Sequence, residues 1–118
     1  MDRVGLNGRP WIYTCLAYDG ERLVGQKVGR SDDPRAFESW YGGVLTAFRR
    51  RGIARELATR QKAWCRANQF RVISTETDPD NVAMLTLNLR QGFKISGTHL
   101  KRGTKLMVSL VKILDPAQ

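Results

Sequence analysis

The densest chemistry in this 118-residue sequence lies in FRRRGIARELATR, Phe48 to Arg60, where an extended segment runs into the first turn of a helix. A helix N-terminus carries unpaired backbone N–H groups and the positive end of the macrodipole, so a loop wrapped there can hold a phosphate or pyrophosphate. Gly52 permits close approach of the backbone. Arg49, Arg50, Arg51 and Arg55 add guanidinium groups that suit phosphate oxygens through paired hydrogen bonds. Residues 49–71 hold eight of the twenty Lys and Arg and a single acid, Glu56. Taken alone the run also fits a solvated basic face or a nucleic-acid patch, and RxxGxA arises often by chance.

The rest of the composition narrows the classes. A net charge of +9 favours anionic partners. With 42% hydrophobic and 26% charged residues, the chain reads as one globular domain over residues 1–118. Cys15 and Cys65 lie far apart with no CxxC spacing, and His99 is the only histidine. That pattern predicts no zinc finger, no other metal site, and no Ser-His-Asp or Cys-His triad. The two cysteines read as reduced thiols acting as small apolar residues. No signal-peptide pattern or membrane-length apolar run occurs, so the expectation is a cytoplasmic protein without a membrane partner.

Periodicity supplies the elements that must position the arginine loop. WIYTCLAY, Trp11 to Tyr18, the Asp19-Gly20 turn and RLVGQKVG form a hairpin. Ser31 to Pro34 reads as a loop, followed by an extended segment from Glu38 to Phe48 in which Gly42-Gly43 suggests a bulge or a close backbone approach. From Gly52 to Asn68 the positions Ile53, Leu57, Trp64 and Cys65, with Ala54 and Ala58, mark one buried helical stripe. Phe70 to Thr75 is a short strand, Asp78 to Asn81 a loop whose Asp80 suits a helix cap, and Ala83 to Arg90 a second helix closed by Gly92. Phe93 to Leu100 and Lys105 to Leu114 are two strands joined by the Lys101-Arg102-Gly103 turn. The order is β-β-β-α-β-α-β-β, an α/β (α+β) fold with a mixed, mostly antiparallel sheet and two main helices.

Placed in this order, Arg49-x-x-Gly52-x-Ala54 follows a strand and opens a helix, and Asn81 with Gly92-Phe93 follows after the next strand. The chain resembles the GNAT superfamily of N-acetyltransferases, whose signature is Q/R-x-x-G-x-G/A with a later N-x(10)-G-F segment. The resemblance spans roughly Leu23 to Leu114 and implies a GNAT-like acyl-CoA-binding fold with acetyl-CoA as co-substrate. It implies that backbone groups of Val44, Leu45 and Thr46 pair with the pantetheine arm like an added strand. The loop Arg49, Arg50, Arg51, Gly52, Ile53, Ala54, together with Arg55, would hold the pyrophosphate. Asn81 stands where the family contacts the coenzyme arm, and equally where a turn or cap residue belongs.

The resemblance implies acetyl transfer to a primary amine by direct attack, which needs no enzyme nucleophile. Glu38, eleven residues before Arg49, stands near the position of the general-base glutamate in the histone-acetylating branch; Glu76, at the end of the next strand, is its rival. For either, a surface ion pair is the commoner role. Asn88 occupies the position where many members carry a tyrosine that protonates the coenzyme sulfur. An amide can donate a hydrogen bond but cannot deliver that proton, and Tyr13, Tyr18 or Tyr41 could stand in.

Family members usually begin with a strand and two helices that wall the acceptor site, and only ten residues precede Trp11 here. From this comes the expectation of an acceptor half that is short or missing, with apolar surface at Trp11, Tyr13 and Leu16 covered by a second copy in a homodimer. The partners are then acetyl-CoA and an amine. Two other functions compete: a non-catalytic acyl-CoA-binding protein, and a basic nucleic-acid-binding module, against which the absence of an RNA-binding signature counts.

Overall fold

The computed structural model describes residues 11–115. Six strands form one sheet in the order β1-β2-β3-β4-β6-β5: β1 (Trp11–Asp19), β2 (Arg22–Asp33), β3 (Ala36–Val44), β4 (Val72–Thr77), β5 (Lys94–Lys101) and β6 (Lys105–Ile113), with helices α1 (Ile53–Ala67) and α2 (Val82–Arg90). Every pairing is antiparallel except β3 with β4. The fold class and element order expected from the sequence are therefore present.

Two boundaries shift. Ser31 to Pro34 is not a free loop, because β2 continues to Asp33 and the Ser31 hydroxyl bonds the Ala36 and Asp33 carbonyls to close a tight turn into β3. The extended segment stops at Val44, and Thr46–Phe48 wind into a 3₁₀ turn. The register shift falls at Trp40, between the pairs Val28↔Tyr41 and Gly29↔Ser39, so it is not centred on the glycine pair. Gly42 instead supplies the close approach: a Cβ there would lie 2.9 Å from the Gln26 carbonyl oxygen.

The core lies between the sheet and α1. Tyr13, Phe37, Cys65, Phe70, Ile73 and Leu114 form one cluster, with Trp11 and Trp64 packed against it. Aromatic rings meet edge-on across it, Trp11 with Phe70 at 5.1 Å and Phe37 with Trp64 at 5.6 Å between centroids, a geometry that adds to their area burial. Trp11 and Tyr13 are thus core residues rather than uncovered surface, and of the three expected to be bare only Leu16 is exposed. Helix α1 buries Leu57, Gln61 and Cys65 at four-residue spacing. Burial pushes the Cys65 thiol up to about 12, leaving it an inert apolar residue at neutral pH.

Candidate active site

β3 and β4 pair over only three residues, Ala36↔Val72, Phe37↔Ile73 and Glu38↔Ser74. Beyond them, among the described residues, β3 pairs only with β2, and β4 only with β6. The two strands separate into a V, closed at its vertex by the Thr75 hydroxyl, which donates to the Ser39 carbonyl at 3.1 Å. Trp40 to Val44 therefore present an unpaired strand edge to the cleft, a template for strand-like recognition of an extended ligand.

That edge leads into the arginine loop. Gly52, at φ 81°, caps α1 without any side-chain hydrogen bond. A Ser or Asp in a normal capping geometry would take up one of the first helical N–H groups; glycine leaves them all open. The first bond of the helix is Glu56 N–H to the Gly52 carbonyl at 3.0 Å. Among the described residues, none accepts from the backbone N–H groups of residues 50–55. Arg50 also sits at positive φ, 65°, and such left-handed residues curl successive N–H groups into an anion-binding nest. Arg51 lies over the Phe48 ring at 4.9 Å, which holds its guanidinium beside the loop.

Beneath the vertex, on the helix side of the sheet, a void of about 10 Å³ is bounded by Lys27, Ser39, Gln61, Lys62, Asn88 and Gln91, among others. Asn88 is buried and donates to the Thr77 hydroxyl at 3.1 Å, tying α2 to β4. Burial lowers the pKa of Lys27 below the ordinary lysine range, and that of Lys62 falls for the same reason, reinforced by Lys112 and Arg66 nearby.

The two carboxylates lie on the opposite face of the sheet. Glu38 pairs with Arg30 at 3.3 Å. Glu76 accepts from Lys101 Nζ through Oε1 and lies 2.7 Å from His99 Nε2 through Oε2, while His99 Nδ1 meets the Ser109 hydroxyl at 2.8 Å. The Lys101 hydrogen bond, helped by His99, holds the Glu76 carboxyl below the usual carboxylate range against the opposing effect of burial. A lone histidine can still bridge a serine and a glutamate, as His99 does here between Ser109 and Glu76. One imidazole has two nitrogens, and the β4-β6-β5 order brings the three residues together. The ring runs opposite to that of the serine proteases, with the acid on Nε2 and the serine on Nδ1.

The sequence matches the model of the acetyltransferase (GNAT) family over residues 4–93. The chain belongs to the GNAT family. No protein of curated function matches it. Among solved structures, its fold is similar to the ribosomal-protein-S18-alanine N-acetyltransferase of Escherichia coli, with a TM-score of 0.80 and 12% identity over 91% of this chain and 72% of that one. A GNAT family acetyltransferase from Elizabethkingia anophelis with acetyl-CoA bound gives 0.73 and 18%, covering 89% and 76%. The GNAT acetyltransferase of Streptococcus pneumoniae gives 0.77 and 17%, covering 86% of this chain and 66% of that one; the chain thus spans just under two thirds of its length.

Within this GNAT frame the residues singled out from the sequence sort as follows. Gly52, Ile53, Ala54, Arg50, Arg51 and Arg55 form the open amide run. Arg49 does not: its amide donates to the Thr46 carbonyl and its guanidinium to the Val44 carbonyl at 3.1 Å, so it braces the loop. Val44 ends β3, whereas Leu45 and Thr46 have left the strand, and the Leu45 N–H is spent on the Val24 carbonyl. The free edge therefore lies at Trp40 to Val44. The cap of α2 is Asn81, not Asp80; Asn81 Oδ1 accepts from Met84 N–H at 3.1 Å. Tyr13 is locked in the core with its phenol pushed up by burial. Sequence reasoning missed Lys27, which reads there as an ordinary hairpin residue, and the partnership of Glu76 with His99, Lys101 and Ser109. Among the described residues no group of three or more His, Cys, Asp or Glu could hold a metal ion, and no helix is long and apolar enough to cross a membrane.

Proposed function

We propose that this GNAT chain is an acetyl-CoA-dependent N-acetyltransferase that moves an acetyl group to a primary amine by direct attack. The observation that carries the reading is the run of open N–H groups at residues 50–55 set beside the unpaired edge of β3. The pyrophosphate would sit in the loop, held by amides that need no side chain and by the positive helix end. From Val44 back to Ser39 the strand covers about 17 Å at the usual rise, a path that suits the extended pantetheine arm and brings the thioester to the vertex. Among the described residues none accepts from the Asn81 side-chain N–H₂, which would leave it to meet the arm. Glu38 and Glu76, on the face across the sheet, are the candidates to take the proton of the attacking amine. Calorimetric titration with acetyl-CoA and CoA, followed by turnover with a panel of amines, tests the reading; absence of CoA binding overturns it.

A second reading, a non-catalytic acyl-CoA-binding protein, draws on one observation: both carboxylates are already ion-paired, Glu38 with Arg30 and Glu76 with Lys101. Binding without turnover on any amine would decide for it. A nucleic-acid module would instead show oligonucleotide affinity falling steeply with salt. We also propose a cytoplasmic homodimer, in which the exposed Ile12, Leu16 and Tyr18 of β1 meet a second copy. Sedimentation equilibrium showing only a 13.4 kDa species would refute the dimer. Leu16→Glu is the probe for it; Leu110, fully buried in the core, would report on folding instead.

A further inference from the structure

We propose that Lys27 is the acid of this reaction, its ammonium giving the departing coenzyme thiolate its proton. The proposal rests on the acetyl-CoA reading above. The void bounded by Lys27 lies directly under the vertex, since Ser39 and Ile73, on the two strands that diverge there, both line it. Three features single Lys27 out. Lys62, the other ammonium at the void, already donates to Gln91 Oε1 at 3.1 Å, whereas no acceptor or carboxylate meets Lys27 Nζ among the described residues. Asn88 has an amide in that space and spends it on Thr77. Tyr41 pairs with Val28, one residue beyond the Lys27↔Gly42 pair, so strand alternation puts its phenol on the other face of the sheet.

Lys27 is half-buried, so its ammonium is partly desolvated with no carboxylate beside it among the described residues, and such a group at a cleft is a functional candidate on physical grounds. Desolvation makes Lys27 a stronger acid than a surface lysine. Among the described residues, the only other charged one lining the void is also cationic, Lys62 from α1. An anion arriving at the vertex would therefore meet unopposed positive charge. In the step itself the amine nitrogen attacks the thioester carbonyl, and the C–S bond breaks with its electron pair going to sulfur. A proton passes from Lys27 Nζ to that sulfur. The acceptor nitrogen loses a proton to a base or water on the opposite face, and Lys27 regains one from solvent, so the sum is amine plus acetyl-CoA to amide plus CoA.

The test needs no acceptor. CoA bound to the protein is titrated with pH while its ultraviolet thiolate absorbance is followed, with desulfo-CoA as the blank for Cys15 and Cys65. Beside the Lys27 ammonium the bound thiol should ionise about one to three pH units below its value in the Lys27→Met protein. Lys27→Arg, which keeps the charge, should restore the shift, and Tyr41→Phe should leave it in place. An unchanged titration in Lys27→Met with CoA still bound overturns the Lys27 assignment alone. Failure of the wild-type protein to bind CoA overturns the coenzyme reading and this proposal together. Acetylation of Lys27 itself, seen by mass spectrometry after incubation with acetyl-CoA, also refutes it, because Lys27 would then be a neutral nucleophile. Should Lys27→Met not fold, the wild-type protein against free CoA gives the same comparison, and no shift there is equally fatal.

Discussion

Replacing Gly52 separates what the loop does for the coenzyme from what it does for the fold. At φ 81°, any side chain costs about 1–2 kcal/mol of left-handed strain. The space itself is open: a Cβ there would meet only the mobile end of Arg55, Nη2 at 3.4 Å. Gly52→Ala should therefore lower stability by that strain and change CoA affinity less than about fivefold, because the amides of residues 50–55 stay in place. Gly52→Asp adds a negative charge where phosphate must lie. At about 5 Å and an effective dielectric near 20, one such pair repels by about 3 kcal/mol, and screening over about 8 Å at physiological salt leaves a loss of about a hundredfold in affinity. The carboxylate also reaches the open N–H groups of the first turn, which offsets part of the strain.

The two variants should then have similar urea midpoints and very different CoA affinities by calorimetry. The gap between them should narrow as salt is raised. A folded Gly52→Asp protein that binds CoA as tightly as wild type would mean the phosphates lie elsewhere, and the strand-loop-helix assignment would be wrong.

Four further outcomes follow from particular contacts. Gly29→Ala forces a Cβ to 2.3 Å from two ring carbons of the buried Phe37 and 2.7 Å from the Glu38 carbonyl oxygen, so it should cost about 3 kcal/mol in urea unfolding; wild-type stability would show the β2-β3 register to be wrong. If Glu38 is the base, Glu38→Gln should lower turnover about a hundredfold with CoA affinity intact, and unchanged kinetics would move the role to Glu76. Glu76 has its carboxyl held low by Lys101, so its stabilising contribution is complete above the unfolded carboxyl pKa and is lost as pH falls through the lower folded value; the wild-type urea midpoint should drop from roughly pH 5 downward, more steeply than that of Glu76→Gln, and parallel curves would refute the pairing. His99 is the only histidine, so nitrogen NMR should show the neutral ring protonated on Nε2, toward Glu76, with Glu76→Gln relaxing that preference; a predominant Nδ1 tautomer in the wild type would refute the string.

Much of this was legible in the sequence because it rests on local rules. The strand and helix order follows from periodicity, and the glycine that opens an amphipathic helix after an arginine run is the local pattern behind the proposed anion site. The parts that were not legible depend on register and long-range approach. The 3₁₀ turn at Thr46–Phe48 is bracketed by Arg49 reaching back to the Val44 carbonyl and by Leu45 N–H donating to the Val24 carbonyl; the second is a contact across the sheet that no short window of sequence contains. The displacement of the bulge from the glycines to Trp40 is likewise a property of the β2-β3 pairing. Asn81 displaced Asp80 as the cap by a single position, within the ordinary uncertainty of helix ends.

The two faces of the sheet show why the chemistry was harder to read than the fold. Side chains alternate along a strand, so Thr75 and Thr77 turn toward the helices while Glu76, between them, turns away to His99 and Lys101. The same rule sends Lys27 under the vertex and its neighbour Val28 to the other side. With Glu38 as the base, the proton taken from the amine and the proton given to sulfur would be handled from the paired strands β3 and β2; with Glu76 as the base they would be handled from β4 and β2, which never pair directly. β3 lies between them, and only its early departure from β4 leaves an opening through which one thioester could meet both. On the proposed reaction, closing that opening by extending the β3-β4 pairing would leave the loop and the helices in place and still remove the path of the thioester, so the three-residue length of that pairing would matter as much as any side chain.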